Sequence, residues 1–145
     1  MASLKKFLLA QGFSVLNLER TQTDHFAVEA TLNGVPGRFI VDTGASNTCV
    51  GLDRIAHFGM VSEVSEVKAA GAGAAELETA VSDGNQLLLG TWERKGLQVV
   101  LIDLSHVNQA LLAHLADPVD GILGADVLRL GRAVIDYRKN RLFLK

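Results

Sequence analysis

The stretch from Phe26 to Gly44 constrains this chain more than any other. Phe26, Val28, Ala30 and Leu32 alternate with Ala27, Glu29 and Thr31, the period-two pattern of a strand with one buried face. Asn33-Gly34 comes next, and both residues accept the positive φ that a two-residue hairpin turn imposes. The apolar run Phe39 to Val41 then reads as the returning strand, and it ends on Asp42-Thr43-Gly44. A hairpin thus delivers a carboxylate to the end of a stiff β-branched run, beside a hydroxyl donor and a glycine that lets backbone approach closely.

Beyond Gly44 the chain is again largely extended. Leu52 to Phe58 reads as one or two helical turns closed by Gly59, and Val61 to Val67 resumes a strand pattern. The small-residue stretch Ala69 to Ala75 lies before the β-compatible Leu77 to Val81 and reads as a mobile hairpin tip. Gln86 to Leu89 and Leu97 to Ile102 read as two strands joined through Gly90 and Lys95-Gly96. Ser105 is the expected cap of a helix through Leu115, ended by Asp117-Pro118. Gly121-Ile122-Leu123-Gly124, a short helix from Ala125 to Leu130, and strands around Ala133 to Asp136 and Arg141 to Leu144 complete the chain.

With 145 residues, 48% hydrophobic and 21% charged, the chain suits one domain, whose core stands without disulfide or structural metal. Cys49, the single cysteine, cannot form an internal bridge. No repeat or linker divides residues 14–145, which read as that domain. Residues 1–13 read as a helical appendage: Ser3 caps a helix through Gln11, with Leu4, Phe7 and Leu8 on one face and Gly12 as its stop.

Several function classes are disfavoured. A net charge of −2 with scattered Lys and Arg gives no basic field for nucleic acid. The apolar run Phe7 to Ala10 is too short for a secretory core or a membrane span, so the chain reads as cytoplasmic, without a membrane partner. His25, His57, His106 and His114 have no ligand spacing, and neither metal nor cofactor is expected. Ser46 lacks the closing glycine of a nucleophile elbow. Cys49 in an apolar strand reads as packing, and Gly71 to Gly73 lacks the Gly-Lys-Ser/Thr ending of a phosphate loop. Asp83-Gly84 and Asp120-Gly121 read as turns. Asp126, second in the last helix, reads as a first-turn acid favoured by the helix dipole.

One ordered set of motifs is more specific. Ile40-Val41 precedes Asp42-Thr43-Gly44-Ala45, the glycine-bearing segment around Gly71 and Gly73 comes after it, and Ile122-Leu123-Gly124 opens a helix. Gly124-Ala125-Asp126-Val127-Leu128 and the tail Ile135-Asp136-Tyr137-Arg138-Lys139-Asn140 continue the set. In these residues the chain resembles the retropepsin-like aspartic proteases, and its cellular and bacterial members more than the viral ones, over about Ser14 to Leu144.

The resemblance implies a mostly β, closed barrel-like acid-protease fold with short helices, and an endopeptidase that hydrolyses peptide bonds with activated water. It makes Asp42 the catalytic carboxylate, gives Thr43 a hydrogen bond across a dimer beneath the carboxylates, and makes Gly44 the residue that permits the turn. Ala45, Ser46, Gly71, Ala72, Gly73 and Ile122 are implied to touch substrate, with Gly71 to Gly73 as a flap. Two carboxyls must share one proton for this chemistry, and the chain has a single Asp-Thr-Gly. A homodimer with one Asp42 from each subunit on a twofold axis is therefore expected, with peptide or protein as substrate. Viral members pair an Asp two residues after the motif glycine with an Arg after the downstream glycine. Here those positions hold Ser46 and Ala125, so the pair is missing as a unit. The rival readings are a non-catalytic peptide-binding or assembly module of the same fold, and an unrelated β-barrel in which the triplet is only a turn.

Overall fold

The computed structural model describes residues 3–64 and 79–145. The expected flap tip, Gly71, Ala72 and Gly73, lies outside the described residues, as does the continuation of the Val61 to Val67 strand beyond Val64. The chain begins with α1 (Leu4–Ala10), β1 (Ser14–Asn17) and β2 (Glu19–Arg20). The Ser3 side chain accepts from the Lys6 N–H at 3.1 Å and caps α1 as expected. Of the three residues expected on its apolar face, only Leu8 is buried; Leu4 and Phe7 are exposed.

The hairpin is formed by β3 (Phe26–Leu32) and β4 (Val35–Val41), paired antiparallel from Phe26↔Val41 to Leu32↔Val35. Asn33 and Gly34 turn it with φ of 53° and 81°, the left-handed pair such a turn requires. The structure continues with β5 (Cys49–Gly51), a 3₁₀ turn (Leu52–Arg54), β6 (Glu63–Val64), β7 (Ala80–Leu89) and β8 (Trp92–Ile102). Then come α2 (Ser105–Ala113), β9 (Gly121–Leu123), α3 (Ala125–Leu130), β10 (Val134–Asp136) and β11 (Arg141–Leu144).

Six of these strands close on themselves in the order β3-β4-β9-β5-β8-β7, with β7 returning to β3 through Thr31↔Leu88 and Leu32↔Leu87. The β4–β9 and β5–β8 pairs are parallel. The fold is the mostly β closed barrel with short helices that the retropepsin-like resemblance implied. A second sheet, β1-β11-β10, joins the N-terminal strand to the end of the chain.

Apolar side chains fill the barrel: Phe39, Phe58, Val50, Leu89, Leu101 and Leu123 are each 1% exposed or less. Leu142 and Leu144, from the second sheet, join this core. Ala27 and Ile40 point the other way and are covered by Leu111, Ala116 and Val119 around α2. The face of β3 expected to be solvated is therefore buried at Ala27, because a helix lies over it.

Three local expectations are corrected. β7 and β8 are long strands joined at Gly90, so Lys95-Gly96 is no connection; Gly96, at φ 69°, lies within β8. Asp83-Gly84 is likewise no turn but part of an irregularity in β7, with Gly84 at φ 73° and shifted register from Ser82 to Leu87. Asn85, 2% exposed at this irregularity, donates to the Ser82 and Leu97 carbonyls and accepts from Asn33. That network satisfies polar groups which would otherwise be buried unpaired. Finally, Ser105 is the first residue of α2 and not its cap: Leu104 holds the N-cap position without a side-chain bond, and the Asp103 carboxylate before it accepts from the Ser105 N–H at 2.8 Å.

Ionic contacts brace the barrel wall. Arg38 donates to both oxygens of Glu19, at 2.7 and 3.3 Å. The hydrogen bond from Arg38, then its charge, holds the Glu19 carboxyl below the usual carboxylate range. A depressed carboxyl stabilises the fold above its ordinary titration range and loses that contribution as pH falls through the folded value. Because Glu19 is largely exposed, the loss on acidification is small. Asp120 accepts from the Arg38 N–H at 2.9 Å and lies 2.8 Å from Arg54 Nε. Its side chain thus joins β4 to the 3₁₀ turn, whereas the turn expected at Asp120-Gly121 is the entry to β9, with Gly121 as its first residue.

Candidate active site

Asp42 follows β4 directly, where the parallel ladder with β9 ends at Val41↔Leu123. Its N–H donates to the Leu123 carbonyl at 3.0 Å, so the residue is anchored to β9 before the chain turns. The Gly44 N–H then donates to Asp42 Oδ1 at 2.9 Å, and the Ala45 N–H donates to the Asp42 carbonyl at 3.2 Å. Gly44 does not adopt a left-handed φ. Its use is closeness: a Cβ there would stand 3.3 Å from Asp42 Oδ1, crowding the carboxylate that its own N–H orients.

The same loop lies against the start of α3. The Ala125 N–H donates to the Ala45 carbonyl at 2.7 Å. Gly124 sits so close that a Cβ would come within 2.7 Å of the Asn47 carbonyl and 2.9 Å of the Ala45 carbonyl oxygen. Asp126 Oδ1 accepts from the Thr48 N–H at 2.9 Å and the Thr48 hydroxyl at 2.7 Å, as well as from the Val127 N–H at 2.8 Å. The Thr48 hydroxyl oxygen accepts in turn from the Gly124 N–H at 3.0 Å.

The structure therefore brings Asp42, Thr43, Gly44, Ala45 and Ser46 together with the Ile122 to Asp126 segment. Asp42 is half-buried, Thr43, Gly44 and Ser46 are exposed, and Ala45 is intermediate. Ile122, also intermediate, lies in β9 between Ile40 and Cys49. Among the described residues, the Gly44 N–H is the donor that reaches the Asp42 carboxylate. A cavity of about 400 Å³ opens beside Thr43, lined also by Ala125, Arg129, Arg132 and Ile135.

Two residues of this arrangement have roles that the sequence does not display. Thr48 carries no motif, although it is 3% exposed with its hydroxyl both donating and accepting. Asp126 reads as a first-turn acid. Its bond to Val127 N–H fits that reading, but its bonds to Thr48 reach across to the loop. The available signal is its place two residues after Gly124. Cys49 is buried as expected of a packing residue, and burial pushes its thiol up to about 12, which leaves no thiolate for nucleophilic chemistry near neutral pH.

Comparison with known proteins gives a consistent result. A family model described as aspartyl protease matches residues 28–127, from β3 into α3. A retropepsin-like aspartic protease from Rickettsia conorii is 20% identical with a TM-score of 0.61, over 91% of this chain and 90% of that one. The retroviral protease-like domain of Ddi1 from Leishmania major is 20% identical with a TM-score of 0.59, over 82% and 86%. EIAV protease, complexed with the inhibitor HBY-793, is 18% identical with a TM-score of 0.54, over 71% and 84%. No curated protein sequence matches the chain. Among the described residues, no helix is long and apolar enough to cross a membrane.

Proposed function

Since the chain belongs to the aspartyl protease family, we propose that it is an aspartic endopeptidase acting as a homodimer, with Asp42 of each subunit forming the catalytic pair. The observation that most supports this reading is the Asp42 carboxylate itself. It stands at the end of a barrel strand, backbone-anchored through Leu123 and oriented by the Gly44 N–H. One carboxylate of the pair takes a proton from water as the water oxygen attacks the peptide carbonyl carbon. The other gives its proton to the carbonyl oxygen. Collapse of the tetrahedral adduct breaks the C–N bond, and a proton passes to the departing amine. In this reading Thr43 and Gly44 hold the pair in place, and Ala45, Ser46 and Ile122 contact the peptide, with Gly71, Ala72 and Gly73 above it. The working unit is residues 14–145, with residues 1–13 as an appendage.

One chain offers one such carboxylate, so activity depends on assembly. Below the dimer dissociation constant, specific activity is expected to fall in proportion to protein concentration by mass action. Sedimentation and peptide cleavage measured over the same dilution series test this. A strictly monomeric chain that still cleaves would refute the paired arrangement.

The pair must also carry one proton. Two carboxylates about 3 Å apart do not ionise together readily, and catalysis needs one of each form. The pH–rate profile is expected to be bell-shaped, its two limbs belonging to the pair and not to either subunit. A rate that climbs steadily through pH 9 contradicts the mechanism.

A further inference from the structure

The structure assigns Asp126 a positioning role: its Oδ1, through Thr48, holds the Asp42 loop against α3 in the geometry that catalysis requires. This rests on the peptidase reading, yet it concerns residues that touch no reacting atom.

Residues 42–48 meet the segment 123–126 at three points, the last of them also bridged by the Gly124 N–H, which donates to the Thr48 hydroxyl oxygen at 3.0 Å. Asp42 N–H is held by the Leu123 carbonyl, and the Ala45 carbonyl is held by the Ala125 N–H. The far end of the loop, Thr48, is held by Asp126 Oδ1 through both its N–H and its hydroxyl. The first two anchors are backbone bonds, which side-chain changes leave formally intact. At the third, both Thr48 donors depend on one carboxylate oxygen, which also serves the Val127 N–H. Thr48 is 3% exposed, so water has little access to replace the lost acceptor, and both its donors would remain buried and unpaired. The loop cannot simply settle onto α3, because Gly124 already sits against the Asn47 and Ala45 backbone.

Ser46 and Ala125 give the requirement its context. The charged pair that viral relatives place there has no counterpart in this chain, which leaves the bonds of Thr48 to Asp126 and to the Gly124 N–H as the side-chain connections between loop and helix among the described residues. What they fix is position: a displacement of about 1 Å in a catalytic group costs on the order of 100-fold in rate.

The decisive feature is an acceptor oxygen, and Asn supplies one of the same shape. Asp126→Asn, Asp126→Ala and Thr48→Val are to be compared with wild type in kcat and KM on a peptide substrate, below each variant's unfolding midpoint. Amide hydrogen exchange at Gly44, Ala45 and Ala125 is to be followed alongside. Asp126→Ala is expected to lower kcat roughly 10- to 100-fold with KM changed less than about 3-fold, and to speed exchange at those amides about 10-fold. Asp126→Asn is expected to stay within about 3-fold of wild type in both readouts, since its amide oxygen accepts the same bonds. Thr48→Val removes the hydroxyl, and with it one donor to Asp126 and the acceptor of the Gly124 N–H; it should shift both readouts in the same direction as Asp126→Ala, and it serves if Asp126→Ala does not fold. Unchanged exchange and kcat in Asp126→Ala, or equal losses in Asp126→Asn and Asp126→Ala, would overturn the inference. Absence of wild-type cleavage would refute the peptidase reading, and the exchange rates would then decide the positioning role by themselves.

Discussion

Asp42→Asn is expected to lower peptide turnover by a factor of about 10² to 10⁴, the range that a positioned general base contributes, while folding and dimerisation persist. The amide is nearly isosteric with the carboxylate, and its oxygen can still accept from the Gly44 N–H that meets Asp42 Oδ1. What disappears is the capacity to take a proton from water. In the proposed dimer the change removes charge from both halves of the pair, so any carboxylate repulsion is relieved and stability holds or rises. The thermal midpoint and sedimentation profile of the variant should therefore match or exceed those of wild type when cleavage has collapsed. This pattern distinguishes a peptidase from a module that binds peptide without cutting it, in which neither form turns substrate over and affinity survives the substitution. A variant that cleaves as fast as an active wild type would remove Asp42 from the chemistry altogether.

The hairpin and the loop after it are legible in the sequence because each depends on nearby residues. Asn33-Gly34 specifies its turn through backbone freedom at two adjacent positions, and the alternation from Phe26 to Leu32 arises from one face meeting the barrel core. At β7, β8, Ala27 and Thr48, where sequence and structure part, the cause lies in contacts distant along the chain. The residue pattern breaks β7 and β8 at Asp83-Gly84 and Lys95-Gly96 because glycine normally interrupts strands. In the barrel those glycines are accommodated within long strands, helped by Asn85, whose partners are Asn33 in the β3–β4 turn and Leu97 in β8. Ala27 falls on an apparently solvated face since no local pattern shows that α2 covers it. Thr48 goes unmarked for the same reason: a threonine's burial and its partner 78 positions away leave no periodic trace. The candidate carboxylate can be picked out in the sequence before the fold is known, whereas its supports at Leu123, Gly124 and Asp126 require the barrel to bring β4 and β9 together.

Stability should be most sensitive at Phe39, three residues before Asp42 on the same strand. Its ring is 1% exposed and fills space left by two glycines. A Cβ at Gly37 would lie 3.0 Å from Phe39 Cε2, and one at Gly121 would lie 2.6 Å from Cε1. On the Gly37 side the ring of Phe58, fully buried, also closes in, 6.2 Å away between ring centroids. Phe39→Ala removes a large side chain from a place where the neighbouring strands cannot collapse inward without breaking their ladders. The expected cost is about 3–5 kcal/mol, a substantial part of the roughly 5–15 kcal/mol that holds a domain folded. Gly37→Ala alone is expected to cost about 1–3 kcal/mol by overpacking, since the added methyl group would lie 2.7 Å from Phe58 Cζ and neither ring has room to retreat. In the Phe39→Ala background, however, the Phe58 ring can swing into the vacated space. The same Gly37→Ala change should then cost at least about 1 kcal/mol less, within the range of coupling between residues in contact. Urea unfolding of the two single variants and the double variant gives all the required quantities. If the two costs simply add, to within about 0.5 kcal/mol, then Phe39 and Gly37 do not share their packing, and the close fit of ring against glycine is not what sustains the strand that presents Asp42.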